Sequence, residues 1–196
     1  MKCLVALALL TAAPALAQTG CPTAADRDRG IRLDFSTGGS EVYRPAAAGV
    51  VTVNGVDNDG GGYRFELAHG AMLLVYEDVI DGAPDPSTRA RYDYGLTPAQ
   101  MPVPVPGGTW ASDVTVTAGT EVYDEAQSMI WGKTQTVTIG DCAYQGFDVR
   151  ISYDTASNYV ENLMYLPDLG FGYLVWKESD GSPRDLLSVT SIRVAK

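Results

Sequence analysis

The chain has one histidine, His69, in 196 residues. Any Ser-His-Asp or Cys-His arrangement would have to use it, and a zinc site would lack its usual second imidazole. No G-x-S-x-G turn occurs, which excludes the serine elbow of the α/β-hydrolases. Positive charge is also scarce: 14 Lys and Arg stand against 24 Asp and Glu, a formal charge of −10. A chain this acidic carries no footprint for nucleic acid and would be repelled by an anionic membrane surface. Its carboxylates are scattered singly or in pairs, as on a solvated surface. Beyond the N-terminus no apolar run approaches the roughly 20 residues that span a bilayer as a helix, so the mature chain is expected not to be membrane-spanning.

Cysteine is nearly absent too, and where its three copies fall decides the compartment. The opening MKCLVALALLTAAPALA places Lys2 before an apolar run, then Pro14 and the small-residue site Ala15-Leu16-Ala17. It reads as a secretory signal peptide over residues 1–17, cleaved after Ala17, and predicts a periplasmic or secreted protein. Cleavage would remove Cys3 and leave Cys21 and Cys142, which in an oxidising compartment are expected to form a disulfide. Closing so long a loop is worth at most about 4 to 5 kcal/mol by the chain-entropy model. Nothing near Cys142 would make it a reactive thiolate. A lipid-anchored alternative, with Cys21 as the acylated first residue, lacks the expected leucine three positions upstream, where Gln18 stands.

Apolar and polar residues alternate with period two through much of the rest. Ile31, Leu33 and Phe35 form one such set, Val114 and Val116 another, and Phe147, Val149, Ile151 and Tyr153 a third. This spacing sends one set toward a core and the other toward water on a pleated strand. Between the runs lie Gly, Asn and Asp clusters such as Asn54-Gly55, Asp81-Gly82 and Gly140-Asp141, which suit tight hairpins. The pattern predicts an all-β antiparallel meander of about ten or more strands, as a half-barrel, barrel or sandwich, in a single domain over residues 18–196. One short helical turn is expected at residues 23–29, with Thr23 as N-cap and Gly30 as stop. The proline-rich segment 97–108 cannot be a central strand; it either connects two halves or straps an edge. The tripeptide EVY at Glu41 and Glu121, and VTVNG at Val51 beside VTIGD at Val137, echo each other with drifting spacing. Duplication would explain this, as would the chance recurrence of Val, Thr and Gly in a β-rich chain.

No catalytic, cofactor-binding or metal residue can be singled out. The stretch from Asp57 to Gly62 resembles the start of a calcium loop, but Gly61 occupies the third ligand position and Ala68 the twelfth, so it reads as a hairpin turn. Arg64 with Glu66, and Asp148 with Arg150, read as surface pairs on outer strand faces. Aromatic residues crowd the C-terminal part: Trp131, Tyr165, Phe171, Tyr173 and Trp176 would line an apolar groove in an open sheet, or fill the core of a closed one.

Tyr165 to Gly181, YLPDLGFGYLVWKESDG, resembles the strand-turn-strand motif of exported bacterial half-barrel envelope proteins, in which a tyrosine-rich strand meets a P-x-L-G turn. VTIGDCAYQGFDV is similar to the paired strands that precede it. The resemblance covers roughly the last 70 residues, implies a curved antiparallel sheet and an envelope location, and brings no catalytic residue. The function expected is non-enzymatic binding of an apolar or extended ligand, or of a partner: a lipid, a peptide or an envelope protein. A hydrolase built on scattered carboxylates or on His69 is one alternative, and a structural envelope component another.

Overall fold

A computed structural model describes residues 20–196. The expected signal peptide over residues 1–17 and its expected cleavage site lie outside the described residues. From residue 20 onward the chain is strand and turn, as the alternation predicts. A 3-10 turn at Ala24–Arg29 precedes a meander of β1 (Ile31–Phe35), β2 (Ser40–Pro45), β3 (Val50–Val56), β4 (Gly62–Ala68) and β5 (Met72–Ile80). Two short strands, β6 (Ala83–Pro84) and β7 (Ala90–Asp93), flank a second 3-10 turn at Pro86–Thr88, and a third at Pro98–Gln100 precedes β8 (Thr109–Ala118) and β9 (Glu121–Trp131). There follow β10 (Gln135–Ile139), β11 (Cys142–Tyr153), β12 (Val160–Leu166), β13 (Phe171–Glu178), β14 (Asp185–Leu186) and β15 (Val189–Val194). All the pairings are antiparallel, in one sheet ordered β14-β13-β12-β11-β9-β8-β7-β5-β4-β3-β2-β1-β15, with β10 beside β11 and β6 beside β5.

This order repeats itself. β1 to β5 form one five-strand meander, and β8, β9, β11, β12 and β13 form a second. A capped 3-10 turn introduces each. Asp26 accepts from the Thr23 backbone N–H at 3.0 Å and hydroxyl at 2.9 Å; Gln100 Oε1 accepts from the same groups of Thr97 at 3.1 and 2.7 Å. β7 bridges the last strand of the first meander to the first of the second, through Tyr76↔Ala90 and Ala90↔Ala118. The terminal segment does the same in reverse: β14 pairs with β13 through Trp176↔Leu186, and β15 pairs with β1. The EVY echo thus falls on the second strand of each meander, β2 and β9.

The two meanders enclose separate cores, each completed by a hairpin tip from the other. Leu33, Val53 and Ile192 from β1, β3 and β15 pack with Leu166, Leu169, Phe171 and Tyr173 of the β12–β13 hairpin. Val116, Met129 and Val149 of the second meander pack with Ala68, Ala71 and Met72 of the β4–β5 hairpin. The tips cross at Gly70 and Gly170. Gly70 adopts φ 69°, and a Cβ there would stand 2.4 Å from the Gly170 carbonyl oxygen, so only glycine allows the approach. The Gly172 N–H donates to the Gly70 carbonyl at 2.8 Å, and the Tyr165 hydroxyl to the His69 carbonyl at 3.1 Å.

The segment 97–108 straps the second core: Met101 is 3% exposed inside it, while Val103 faces outward. Cys21 and Cys142 are disulfide-bonded, joining the chain ahead of the first 3-10 turn to the start of β11.

Candidate functional site

The five aromatic groove candidates do not share a groove. Trp131 and Tyr165 belong to the second core, Phe171 and Tyr173 to the first, all four buried. The reason is the crossing of the tips: β12 and β13 serve both meanders, so side chains adjacent in sequence reach different interiors. Trp176 alone is half-buried, and the Arg184 guanidinium covers its ring at 4.0 Å. Phe171 stacks on Tyr43 of the first meander with ring centroids 4.0 Å apart.

The remaining sequence candidates resolve into local structure. Asp57 Oδ1 accepts from the N–H groups of Asp59 at 3.0 Å and Gly61 at 2.7 Å, closing the β3–β4 turn as expected of a hairpin. Arg64 meets Glu66 at 2.7 Å and also Glu77 at 3.4 Å. Glu77, 1% exposed, is held by Arg89 as well, at 2.5 Å. Asp148 and Arg150 are not a pair: Asp148 accepts from Gln135 and Asn162, because β10 and β12 flank it and supply nearer donors. His69 adopts φ 48°, and its Nε2 lies 3.1 Å from the Met101 carbonyl oxygen, tying the β4–β5 turn to the strap.

Two carboxyl groups, buried Glu41 and half-buried Glu161, each have two tyrosine hydroxyls as partners. Glu41, 7% exposed, accepts from Tyr43 and, at 2.9 Å, from Tyr63, whose ring lies over Gly55. Burial without a cation raises the Glu41 pKa, against the two hydroxyl hydrogen bonds that lower it. In the second meander Glu161 accepts from Tyr153 at 3.0 Å and Tyr159 at 2.7 Å. Glu125 accepts from Gln127, which in turn accepts from Tyr94.

Two open spaces bear on function. A wide trough over the β8–β9–β11 surface has two adjoining hollows of about 480 and 490 Å3, which share Asp113, Ala126 and Asp154. Among the described residues no group of three or more His, Cys, Asp or Glu is placed to hold a metal ion. The second space is a crevice of about 420 Å3 where the two meanders meet. Its walls are the loop after β2 from Pro45 to Val51, Val103 of the strap, and Pro167 and Gly170 of the β12–β13 turn, with Arg27, His69 and Tyr165 between them. Burial pushes the Tyr165 hydroxyl up to about 12, the Arg27 charge pulling the other way.

The sequence pointed to neither Arg27 nor this crevice, although one signal was present. Arg32 and Arg64 each have a carboxylate two residues on, at Asp34 and Glu66, whereas Arg27 is followed there by Arg29 and Arg44 by Ala46.

No protein-family model and no curated protein matches the chain. Among solved structures, it is similar to the crystal structure of the hypothetical lipoprotein YmcC from Escherichia coli K12, at 10% identity, 83% of each chain and a TM-score of 0.43, a span wider than the last 70 residues.

Proposed function

We propose that the protein is exported to the envelope and works by binding rather than by catalysis, holding the apolar part of an extended ligand in the crevice between its two meanders. The observation that carries this reading is the crevice itself, about 420 Å3 at the junction of two packed halves, with Pro45, Val51, Val103 and Pro167 among its walls. Small-molecule sites favour such junctions and such volumes. Trp131, Tyr165, Phe171 and Tyr173, which would line an apolar groove in an open sheet, are occupied in packing. The leader sequence and the Cys21–Cys142 bond support export.

Ala48 lies on the exposed loop that forms one wall, so Ala48→Trp would fill the space without touching either core. The test is thermal-shift titration with 1-octanol. Saturable stabilisation of the wild type that the variant loses is the expected result; equal stabilisation of both would remove the crevice as the site.

A further inference from the structure

The crevice also carries charge of a particular kind. In a chain with net charge −10, most half-buried cations have a carboxylate partner: Arg64 and Arg89 share Glu77, and Arg32 meets Asp34. Arg27 and Arg44 are also half-buried, yet neither guanidinium has a hydrogen bond or ion pair among the described residues. The other cations without carboxylates among the described residues, Arg91, Lys133, Arg150 and Lys196, are exposed.

The two unpaired arginines stand together. Both line a narrow fissure with Tyr43 and Phe171, and this fissure shares Arg27, Pro45 and Val51 with the crevice. Each lies along a glycine that leaves it room: a Cβ at Gly170 would be 2.5 Å from an Arg27 nitrogen, and one at Gly30 would be 2.8 Å from Arg44 Nε. A partly desolvated guanidinium without an acceptor is costly, and two of them side by side repel. An oxyanion removes both costs, and the guanidinium fork matches phosphate geometry.

We infer that Arg27 and Arg44 bind a phosphate group, and that the ligand of the crevice is a phosphate on an apolar tail. The inference rests on the crevice being the binding site. The tail occupies the space between Pro45, Val51 and Val103, and the phosphate lies in the crevice beside Arg27, where it meets the fissure that Arg44 lines; the fissure itself, about 10 Å3, is too small to hold it. A lipid headgroup and free phosphate offer the same chemistry there, and they differ in whether the tail adds affinity.

The experiment is calorimetric titration of the wild type, Arg27→Gln and Arg44→Gln with octyl phosphate, 1-octanol and inorganic phosphate. Neither arginine makes an ion pair and each costs stability while unpaired, so both Gln variants are expected to melt at or above the wild-type temperature, which serves as the folding control; Arg27→Lys is a second check, keeping the charge but losing the fork. Octyl phosphate is expected to bind the wild type more tightly than 1-octanol does, and each Gln variant to weaken it roughly 10- to 100-fold, the range for a charge-assisted hydrogen bond. Affinity for 1-octanol should not change. If octyl phosphate and 1-octanol bind equally and the Gln variants change neither, the phosphate assignment is overturned while the crevice reading survives. If none of the three binds, both fall. Inorganic phosphate binding as tightly as octyl phosphate would support the arginine site and assign it to the free ion, removing the apolar tail from the proposed function.

Discussion

Glu41 is a carboxyl group buried against two tyrosine hydroxyls with no cation beside it, and its pKa is raised by that burial. A carboxyl whose folded-state pKa lies above its unfolded value stabilises the fold while protonated, and that contribution drains away as pH rises through the raised value. Glu41→Gln stays neutral at every pH. The variant is therefore expected to gain on the wild type as pH climbs from below 4.5, the ordinary value, toward neutrality. Urea midpoints measured across that window check this, and parallel profiles would contradict it. Gly70 offers a test of a different kind. Gly70→Ala must hold a side chain at φ 69° and push it into the Gly170 carbonyl, so a loss of about 2 to 4 kcal/mol is expected in denaturant titration. Trp131 Nε1 is buried with no partner among the described residues, so Trp131→Phe should cost less than other truncations of a core aromatic.

At the level of elements, the Cys21–Cys142 bond ties the segment before β1 to β11 across 121 residues of sequence. Replacing both cysteines by serine is expected to cost about 2 to 5 kcal/mol, read from the shift in unfolding midpoint. The strands themselves were legible, because period-two alternation such as Ile31-Leu33-Phe35 is a local property of the chain and the structure keeps it as a strict buried pattern in β1. The β3–β4 turn was legible for the same reason, its Asp57 serving its own backbone. The break between β9 and β10 is less local: it falls after Trp131, where the Gly132 N–H turns to the Asp148 carbonyl. The two-residue strands β6 and β14 are too short to carry any periodicity. Least legible was the destination of Phe171 and Tyr173. Their alternation says only that one face of β13 is buried, and which core receives it depends on a tip crossing settled by contacts far apart in sequence. For Arg27 and Arg44 the sequence shows only that no carboxylate stands two residues on; that neither is paired at all depends on spatial neighbours.

For the whole molecule, the crossed tips mean that neither meander has a complete interior of its own. Phe171→Ala removes the ring stacked on Tyr43 and is expected to cost about 3 to 5 kcal/mol. Because the same hairpin builds both cores, the loss should lower the stability of the entire sheet in one step. Tryptophan emission reports mainly the second meander, through Trp110 and Trp131, while far-UV dichroism reports both. The two probes should give coincident unfolding curves in wild type and variant, and a biphasic dichroism curve would show that the meanders unfold separately. The crossing also bears on how the polypeptide is delivered. Synthesis releases β1 to β5 well before β12 and β13, so the leading half stays unsealed until nearly all of the chain has been made. On the proposed export route, a chain that cannot lock shut early remains threadable through a narrow channel, with its closure deferred to the far side, where the partner of Cys21 also arrives.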